Sequence, residues 1–152
     1  MSQLIKIDEQ YAEWIQSVGI RFKSMQIKAA TKVNQEMLRF YWSLGKDMVE
    51  MHAESRWGSK FYESLSKDLA FAMPEQKSFS PTNLKYMTYF YQLYSEYSPQ
   101  PVDELCSVPW GHHRYIIDKC KGNTEKALFY VRKTIENLIS SFRLHKEIWL
   151  MN

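Results

Sequence analysis

Hydrophobic residues in the first third of the chain recur with the period of an α-helix. Their mean spacing is about 3.6 residues, and no proline interrupts them. We therefore predict a long N-terminal helix across this segment. Its apolar positions are Tyr11, Trp14, Val18, Phe22, Met25, Ala29, Val33, Met37, Tyr41, Leu44, Met48 and Met51.

The length of this predicted helix leaves two alternatives open. Unbroken, it would measure roughly 60 Å at 1.5 Å per residue, whereas a compact domain of this size is about 40 Å across. Either the helix bends near residues 17–19, or it projects and binds a partner. The bulky run at residues 39–42 is expected to be buried on every side. Large side chains of the kind enriched at interface centres favour a homodimer, with an oligomerisation surface at Trp14, Phe22, Met25 and Met37.

The segment 57–94 shows two amphipathic helical patterns around a turn. Pro74 ends the first pattern, which begins at Ser59, because proline lacks the backbone N–H. Ser80 is a good N-cap residue and Pro81 fits the first helical position, so a second helix is predicted to begin there. Residues 59–94 are therefore predicted to form a helix-turn-helix-like corner. Its second helix is expected to expose Thr82, Lys85, Tyr89 and Gln92.

The last third of the chain shows three further helical patterns. One begins after Pro109 and ends near Gly122, and Asn123 can cap the next. Ser140 could cap a last helix, which predicts a second helix-turn-helix-like corner over residues 124–150. No segment alternates with period two, so no strand is predicted. We expect a single all-α domain over residues 1–152, with five or six helices.

Composition and charge narrow the class of protein. The chain has 152 residues and a formal charge of +3, which permits an anionic partner without requiring one. Its two cysteines do not make a disulfide framework, and its N-terminus lacks the apolar run of a signal peptide. No stretch is long and apolar enough to span a membrane. We expect a soluble cytoplasmic protein without a membrane partner.

An acidic pattern typical of metal-dependent nucleases occurs once. Asp68 is followed by Glu75 and Lys77, but that chemistry needs carboxylates on adjacent strands around a magnesium ion. Here Asp68 lies on a predicted helix and Glu75 in the turn after it. We therefore expect no catalytic residues and no nuclease activity from this chain alone.

Two adjacent histidines, together with Cys106 and Cys120, suggest a zinc site at first sight. His112 and His113 would point about 100° apart on a helix, and no CxxC spacing is present. A buried His113 and an exposed His112 form the simpler interpretation. The sequence predicts neither a metal site nor a cofactor.

Basic residues favour an anionic partner in two regions. Residues 21–39 hold five basic side chains against one acidic side chain, and residues 114–146 hold eight against three. Such clusters can follow phosphates, although a solvated helical surface explains them equally well. The candidate DNA-binding residues are Lys85, Tyr89, Arg114, Lys126, Arg132, Lys133, Arg143 and Lys146.

Several short motifs follow one another in order along the chain. They are Val33-Asn34, Tyr41-Trp42-Ser43-Leu44-Gly45, Trp57-Gly58, Leu65-Ser66-Lys67-Asp68-Leu69, Asn83-Leu84, Phe90-Tyr91, Val108-Pro109-Trp110, His112-His113 and Thr134-Ile135-Glu136-Asn137. In this order they resemble the N-terminal domain of the YhcG-type PD-(D/E)xK nuclease family, a family of unknown function numbered 1016. The resemblance spans residues 10–145. It implies a helical, non-catalytic domain that precedes a separate C-terminal nuclease domain in the family. We expect this chain to be that non-catalytic half, either as a fragment or as a stand-alone relative.

Three positions depart from the family pattern. Ser78 replaces a glycine before the second helix of the corner, and residues 138–140 replace Gly-Trp-Ser. Thr88 stands where an arginine often follows the methionine, which removes an expected phosphate or base contact from that helix. The corner at residues 124–150 keeps more positive charge, so we expect it to supply most of any DNA affinity.

Two functions of different classes follow from these observations. The first is a DNA-binding module that targets a nuclease domain. The alternative is a protein–protein or oligomerisation module, which docks the nuclease onto a partner such as a restriction-system protein. DNA binding requires the basic clusters on one face, whereas docking requires an exposed apolar, aromatic patch.

Overall fold

The computed structural model describes the backbone of residues 8–96 and 101–151, and the side chains of residues 8–96 and 102–138. These residues form seven α-helices and no strand. The helices are α1 (Glu9–Glu50), α2 (Ala53–Trp57), α3 (Phe61–Ala72), α4 (Pro81–Tyr94), α5 (Pro101–Cys106), α6 (Trp110–Cys120) and α7 (Thr124–Met151). The predicted all-α fold and the long N-terminal helix are confirmed.

Helix α1 runs without interruption for 42 residues. Asp8 caps its first turn, with its carboxylate accepting a hydrogen bond from the backbone N–H of Tyr11 at 2.9 Å. The helix continues through residues 17–19, where a bend was the alternative prediction. Its buried residues all lie in its C-terminal part, at Leu38, Tyr41, Gly45 and Met48.

Helix α4 occupies the centre of the fold and packs against α1, α3 and α6. It crosses α1 at Gly45, where the two backbones come unusually close. A Cβ atom added to Gly45 would lie 2.2 Å from the carbonyl oxygen of Met87. Glycine is therefore the residue that allows this crossing, because any side chain would require the helices to move apart.

An aromatic cluster joins α1, α4 and α6 in the core. The ring of Trp110 packs edge-on against Tyr41 at 4.8 Å and against Phe90 at 5.4 Å between ring centroids. Trp42 packs in the same way against Phe90, at 5.4 Å. Offset and edge-on aromatic pairs add to the free energy gained by burial. The cluster therefore holds the C-terminal part of α1 firmly to the rest of the domain.

The corner at residues 59–94 forms as a turn between α3 and α4. The hydroxyl of Ser80 accepts a hydrogen bond from the backbone N–H of Asn83 at 3.1 Å, which confirms the predicted N-cap. The Asn83 side chain donates to the carbonyl of Ser78 and accepts from the indole N–H of Trp110, both at 2.6 Å. One amide thus fixes the turn, α4 and the start of α6. Thr82, Lys85, Tyr89 and Gln92 are all exposed, as predicted.

The predicted corner at residues 124–150 is wrong, because α7 is one continuous helix across that segment. Ser140 lies within it rather than at a helix start. A serine cap contributes only about 1 kcal/mol, and neither glycine nor proline stops the helix before it.

Two smaller expectations also need correction. The run at residues 39–42 is not buried on every side, since Arg39 is exposed and Phe40 is 49% exposed. The short helices α2 and α5 lie where no helix was predicted. Both are at most two turns long, too short to show a hydrophobic period.

Candidate interaction surfaces

The N-terminal part of α1 presents an apolar surface to solvent. Trp14 and Phe22 are each 55% exposed, and Met25 is 57% exposed. Exposed apolar patches of this kind are typical of sites that bind another protein. We call this surface the exposed stripe; its members are Trp14, Ile15, Val18, Phe22, Met25 and Val33.

The opposite side of the same helical segment is partly covered. Gln16, Ile20, Ser24 and Ile27 are half-buried and recur with helical spacing. Because these residues lie about half a turn away from Phe22, they and the exposed stripe are on opposite sides of α1.

Three of the four residues predicted to form the oligomerisation surface lie together on the exposed stripe. These are Trp14, Phe22 and Met25. The fourth, Met37, is half-buried and packs against the core of its own domain. The structure therefore places Met37 outside the exposed stripe.

A second surface lies where α4 packs against α6. The phenol of Tyr86 donates to the carboxylate of Asp118, with oxygen–oxygen distances of 2.7 and 2.8 Å. This hydrogen bond raises the pKa of Tyr86. The guanidinium of Arg114 lies 4.5 Å from the centre of the Tyr86 ring, and Tyr89 packs edge-on against that ring at 5.9 Å. Tyr86 thus brings together Arg114 and Tyr89, two of the predicted DNA-binding residues.

Lys85 stands on the same exposed face of α4. Its ammonium lies 5.7 Å from the centre of the Tyr62 ring, so it is held towards α3 rather than towards Arg114. An open cleft of about 370 Å³ adjoins this face at the end of α6, lined by Tyr89, Gln92, Leu93, Ile117, Asp118, Lys121 and Gly122.

Thr88 is buried and faces the core. Its hydroxyl accepts a hydrogen bond from the phenol of Tyr62 at 3.2 Å, between α4 and α3. The structure thus places Thr88 between α4 and α3, away from the exposed face of α4.

Helix α7 positions its predicted DNA-binding residues near carboxylates. The Nε atom of Arg132 lies 4.0 Å from a carboxylate oxygen of Glu104. The ammonium of Lys133 lies 3.5 Å from a carboxylate oxygen of Glu136. Lys126 is exposed near the start of the helix. Arg143 and Lys146 lie outside the described side chains. The structure therefore does not gather these residues into one basic patch within residues 124–138.

The histidine pair has the predicted arrangement, with His112 exposed and His113 fully buried. The Nε2 atom of His113 lies 2.6 Å from the carbonyl oxygen of Leu105, so the neutral ring donates to it. Burial lowers the pKa of His113 to about 4. Burial also raises the pKa of the Cys106 thiol to about 11, which makes it a poor nucleophile.

The acidic residues that resemble a nuclease pattern are exposed and do not form a metal site. Asp68 lies on α3 and Glu75 in the turn after it, both exposed. Within the described residues, no group of three or more His, Cys, Asp and Glu side chains is arranged to hold a metal ion. Among these residues, too, no helix combines the length and the apolar character needed to cross a bilayer.

Sequence reasoning missed several residues that organise these surfaces. Ile15 is exposed beside Trp14, and its three-residue spacing to Val18 could have revealed it. Tyr86 and Asp118 are far apart in sequence, so no local pattern shows their hydrogen bond. No local pattern shows that Gly45 lets the backbones of α1 and α4 approach each other closely.

The profile of the DUF1016 N-terminal domain matches residues 17–151. Neither a curated protein nor a solved structure matches the chain. The matched segment begins within α1 and includes the whole of helices α2 to α7.

Proposed function

The chain belongs to the DUF1016 N-terminal domain family, and from this premise we propose that it is a non-catalytic assembly module. In this proposal the exposed stripe of α1 binds a protein partner. The supporting observation is that Trp14, Phe22 and Met25 are each more than half exposed on one face of a helix. Large aromatic and methionine side chains of this type are enriched at protein interfaces.

Ion pairs within the protein weaken the case for DNA binding by four of the basic residues. Of the basic residues on described segments, Lys32, Arg39, Arg132 and Lys133 each have a carboxylate within 4.0 Å. DNA binding relies on basic groups that can release counterions from phosphates, and an ion pair within the protein competes with that. The apolar side chains of the exposed stripe, by contrast, are exposed to solvent and free to meet a partner.

Assembly of this domain would have a direct consequence for a nuclease of the YhcG type. A domain that pairs with another copy would bring two attached nuclease domains together. A pair of nuclease domains can act on both strands of a two-fold DNA site. The domain would then contribute positioning, while the chemistry would belong to the nuclease domain.

Sedimentation equilibrium tests the assembly function directly. We expect the chain at tens of micromolar to sediment well above the 18.2 kDa of one chain. Phe22→Asp should return it to a single-chain mass, because a carboxylate cannot be buried cheaply in an apolar interface. Ser17→Asp is the matched control, since Ser17 is exposed on α1 but lies outside the stripe. A single-chain mass for the unchanged protein, with no partner bound through the stripe, would refute the proposal.

DNA contact by the α4–α6 surface is the second candidate function. It is favoured by Lys85 and Tyr89, which lie on the exposed face of α4. Arg114 of α6 adds a positive charge over the ring of Tyr86. Lys85→Ala combined with Arg114→Ala should lower the salt dependence of duplex binding by about two units of log–log slope. Arg132→Ala combined with Lys133→Ala should change it less, because both residues have carboxylates nearby. The opposite ranking would assign the contact to α7 instead.

A further inference from the structure

Four residues of the exposed stripe belong to a longer line of positions with coiled-coil spacing. Ile15, Val18, Phe22, Met25 and Ala29 follow one another at alternating steps of three and four residues. This spacing keeps one apolar line facing a partner helix along a supercoil. The same spacing extends back to Tyr11 and ends in charged residues on both sides, with Asp8 at one end and Lys32 at the other. We call residues 8, 11, 15, 18, 22, 25, 29 and 32 the seam.

The seam is accessible along its whole length. Tyr11 is half-buried, and the seven other residues are exposed. The covered residues Gln16, Ile20 and Ile27 lie on the opposite side of α1. A second helix could therefore lie along the seam without displacing any described part of the domain.

We propose that the seam binds a second copy of this chain in antiparallel orientation, with Asp8 of each copy opposite Lys32 of the other. This inference rests on the assembly function proposed above and names its partner. The charges at the two seam ends support it. An antiparallel pair joins opposite charges at both ends, whereas a parallel pair would join Asp8 to Asp8 and Lys32 to Lys32.

Both end residues are available for this contact. Lys32 has a 71% exposed side chain and pairs with Glu36 at 2.9 Å in its own helix. Its ammonium has three donors, so one such pair leaves two for another carboxylate. One oxygen of Asp8 accepts from Tyr11, and the carboxylate has further acceptor capacity.

The antiparallel register also matches side-chain sizes. When Asp8 is opposite Lys32, Tyr11 is opposite Ala29, Ile15 is opposite Met25, and Val18 is opposite Phe22. The large ring of Tyr11 thus lies opposite the small Ala29, and Val18 lies opposite the ring of Phe22. This matching of side-chain volumes along the seam favours even packing. The overlap covers residues 8–32, roughly 36 Å of helix at 1.5 Å per residue.

One charge opposes this arrangement. Arg21 flanks the middle of the seam and would come near its own copy in the antiparallel pair. It is exposed and lies beside the seam rather than in it, so its long side chain can extend into water. The like charges of a parallel pair would instead occupy the seam itself, where they are less easily separated.

Disulfide trapping tests both the orientation and the register. Ile15→Cys and Met25→Cys are made in separate full-length chains, which are then mixed and oxidised. Both positions are exposed, so neither change should disturb the fold of one chain. The native Cys106 and Cys120 are buried and should not compete. We expect a disulfide-linked pair from the mixture and little from either chain alone.

The outcomes separate this inference from the assembly function. Linkage of each chain to itself would overturn the antiparallel orientation. An assembled protein in sedimentation that gives no linkage in any mixture would overturn the register but leave assembly standing. A single-chain mass in sedimentation would refute the antiparallel pair, and it would refute the assembly function as well if no other partner bound through the exposed stripe.

A charge reversal gives a second, independent measurement. Lys32→Glu places two carboxylates together at each end of the antiparallel pair, so dimer affinity should fall about ten-fold. Lys23→Glu makes the same change in charge on the same helix, outside the seam, and should have a much smaller effect. Equal effects of the two variants would overturn the proposed contact between Asp8 and Lys32.

Discussion

The two parts of α1 share one hydrophobic period but differ in what covers it. In the C-terminal part, Leu38, Tyr41 and Met48 are buried against α4 and its neighbours. In residues 9–33 no side chain is fully buried. The apolar positions form one line, which passes from solvent into the core between Val33 and Tyr41. The hydrophobic period therefore predicts the helix, whereas packing against the other helices of the domain decides which part of α1 is buried in the core.

The boundary between the two parts has a visible cause. Asn34 donates a hydrogen bond to the carbonyl oxygen of Cys106 at 3.1 Å, which ties α1 to the end of α5. Beyond this point towards the C-terminus, the aromatic cluster and the Gly45 crossing hold the helix to the domain. Towards the N-terminus, α1 extends with its apolar stripe exposed, which is the arrangement that a partner would complete.

The largest expected effect in the C-terminal part is that of Gly45→Ala. The added Cβ would lie 2.2 Å from the Met87 carbonyl oxygen, so α1 and α4 must separate. We expect the free energy of unfolding to fall by about 3 kcal/mol and Tm by roughly 10 °C. Thermal unfolding followed by circular dichroism measures both quantities.

Gly111→Ala is the control for this substitution. Gly111 lies in α6, and a Cβ atom there would meet nothing within 4 Å. That variant should be as stable as the unchanged chain or slightly more so, because alanine favours helices. If Gly45→Ala proved equally harmless, the close crossing of α1 and α4 would be wrong.

Acid should weaken the core that holds the C-terminal part of α1. Burial lowers the pKa of His113 to about 4, from an ordinary value of 6.5. The unfolded chain therefore binds a proton at higher pH than the folded chain does. The contribution of His113 to stability is complete above pH 6.5 and is lost as the pH falls towards 4. At pH 5 the expected loss is about 2 kcal/mol.

Urea unfolding at pH 7.5 and pH 5 measures this loss. His113→Gln should remove most of the pH dependence, although it also lowers stability at both pH values. His112→Gln is the matched control, because His112 is exposed. Its variant should lose as much free energy of unfolding between pH 7.5 and pH 5 as the unchanged chain does. If the His113 variant lost the same free energy of unfolding between the two pH values, another group would be responsible for the pH dependence.

Much of the fold could be predicted from the sequence because the relevant signals are local. The period of α1, the N-caps at Ser80 and Asn123, and the exposed face of α4 each depend on residues within a few turns. The second corner was predicted wrongly because Ser140 is compatible with both a cap and a helix interior. The absence of glycine and proline before Ser140 favours the continuous helix that the structure shows.

The interaction surfaces were harder to predict, because they depend on contacts far apart in sequence. Thr88 is buried by Tyr62, which lies 26 residues earlier. Met37 continues the apolar line of Met25, yet it packs against the core. Several motifs that resemble the family, such as those at Gly45, Asn83 and Trp110, hold the fold together. They identify the family without indicating what its members bind.

The smallest expected effect concerns the boundary itself. Asn34→Ala removes the donor to the Cys106 carbonyl, and to the Val108 carbonyl at 3.5 Å. We expect a loss of about 1 kcal/mol, the usual contribution of one hydrogen bond to a partly buried group. Gln26→Ala, on the exposed part of the same helix, should change stability by less than about 0.5 kcal/mol. Urea unfolding at pH 7.5 compares the two variants under identical conditions. Because Asn34 is the anchor nearest to the exposed stripe, its loss should also speed amide hydrogen exchange near residues 30–38. Equal exchange in both variants would place the boundary of the folded body elsewhere along α1.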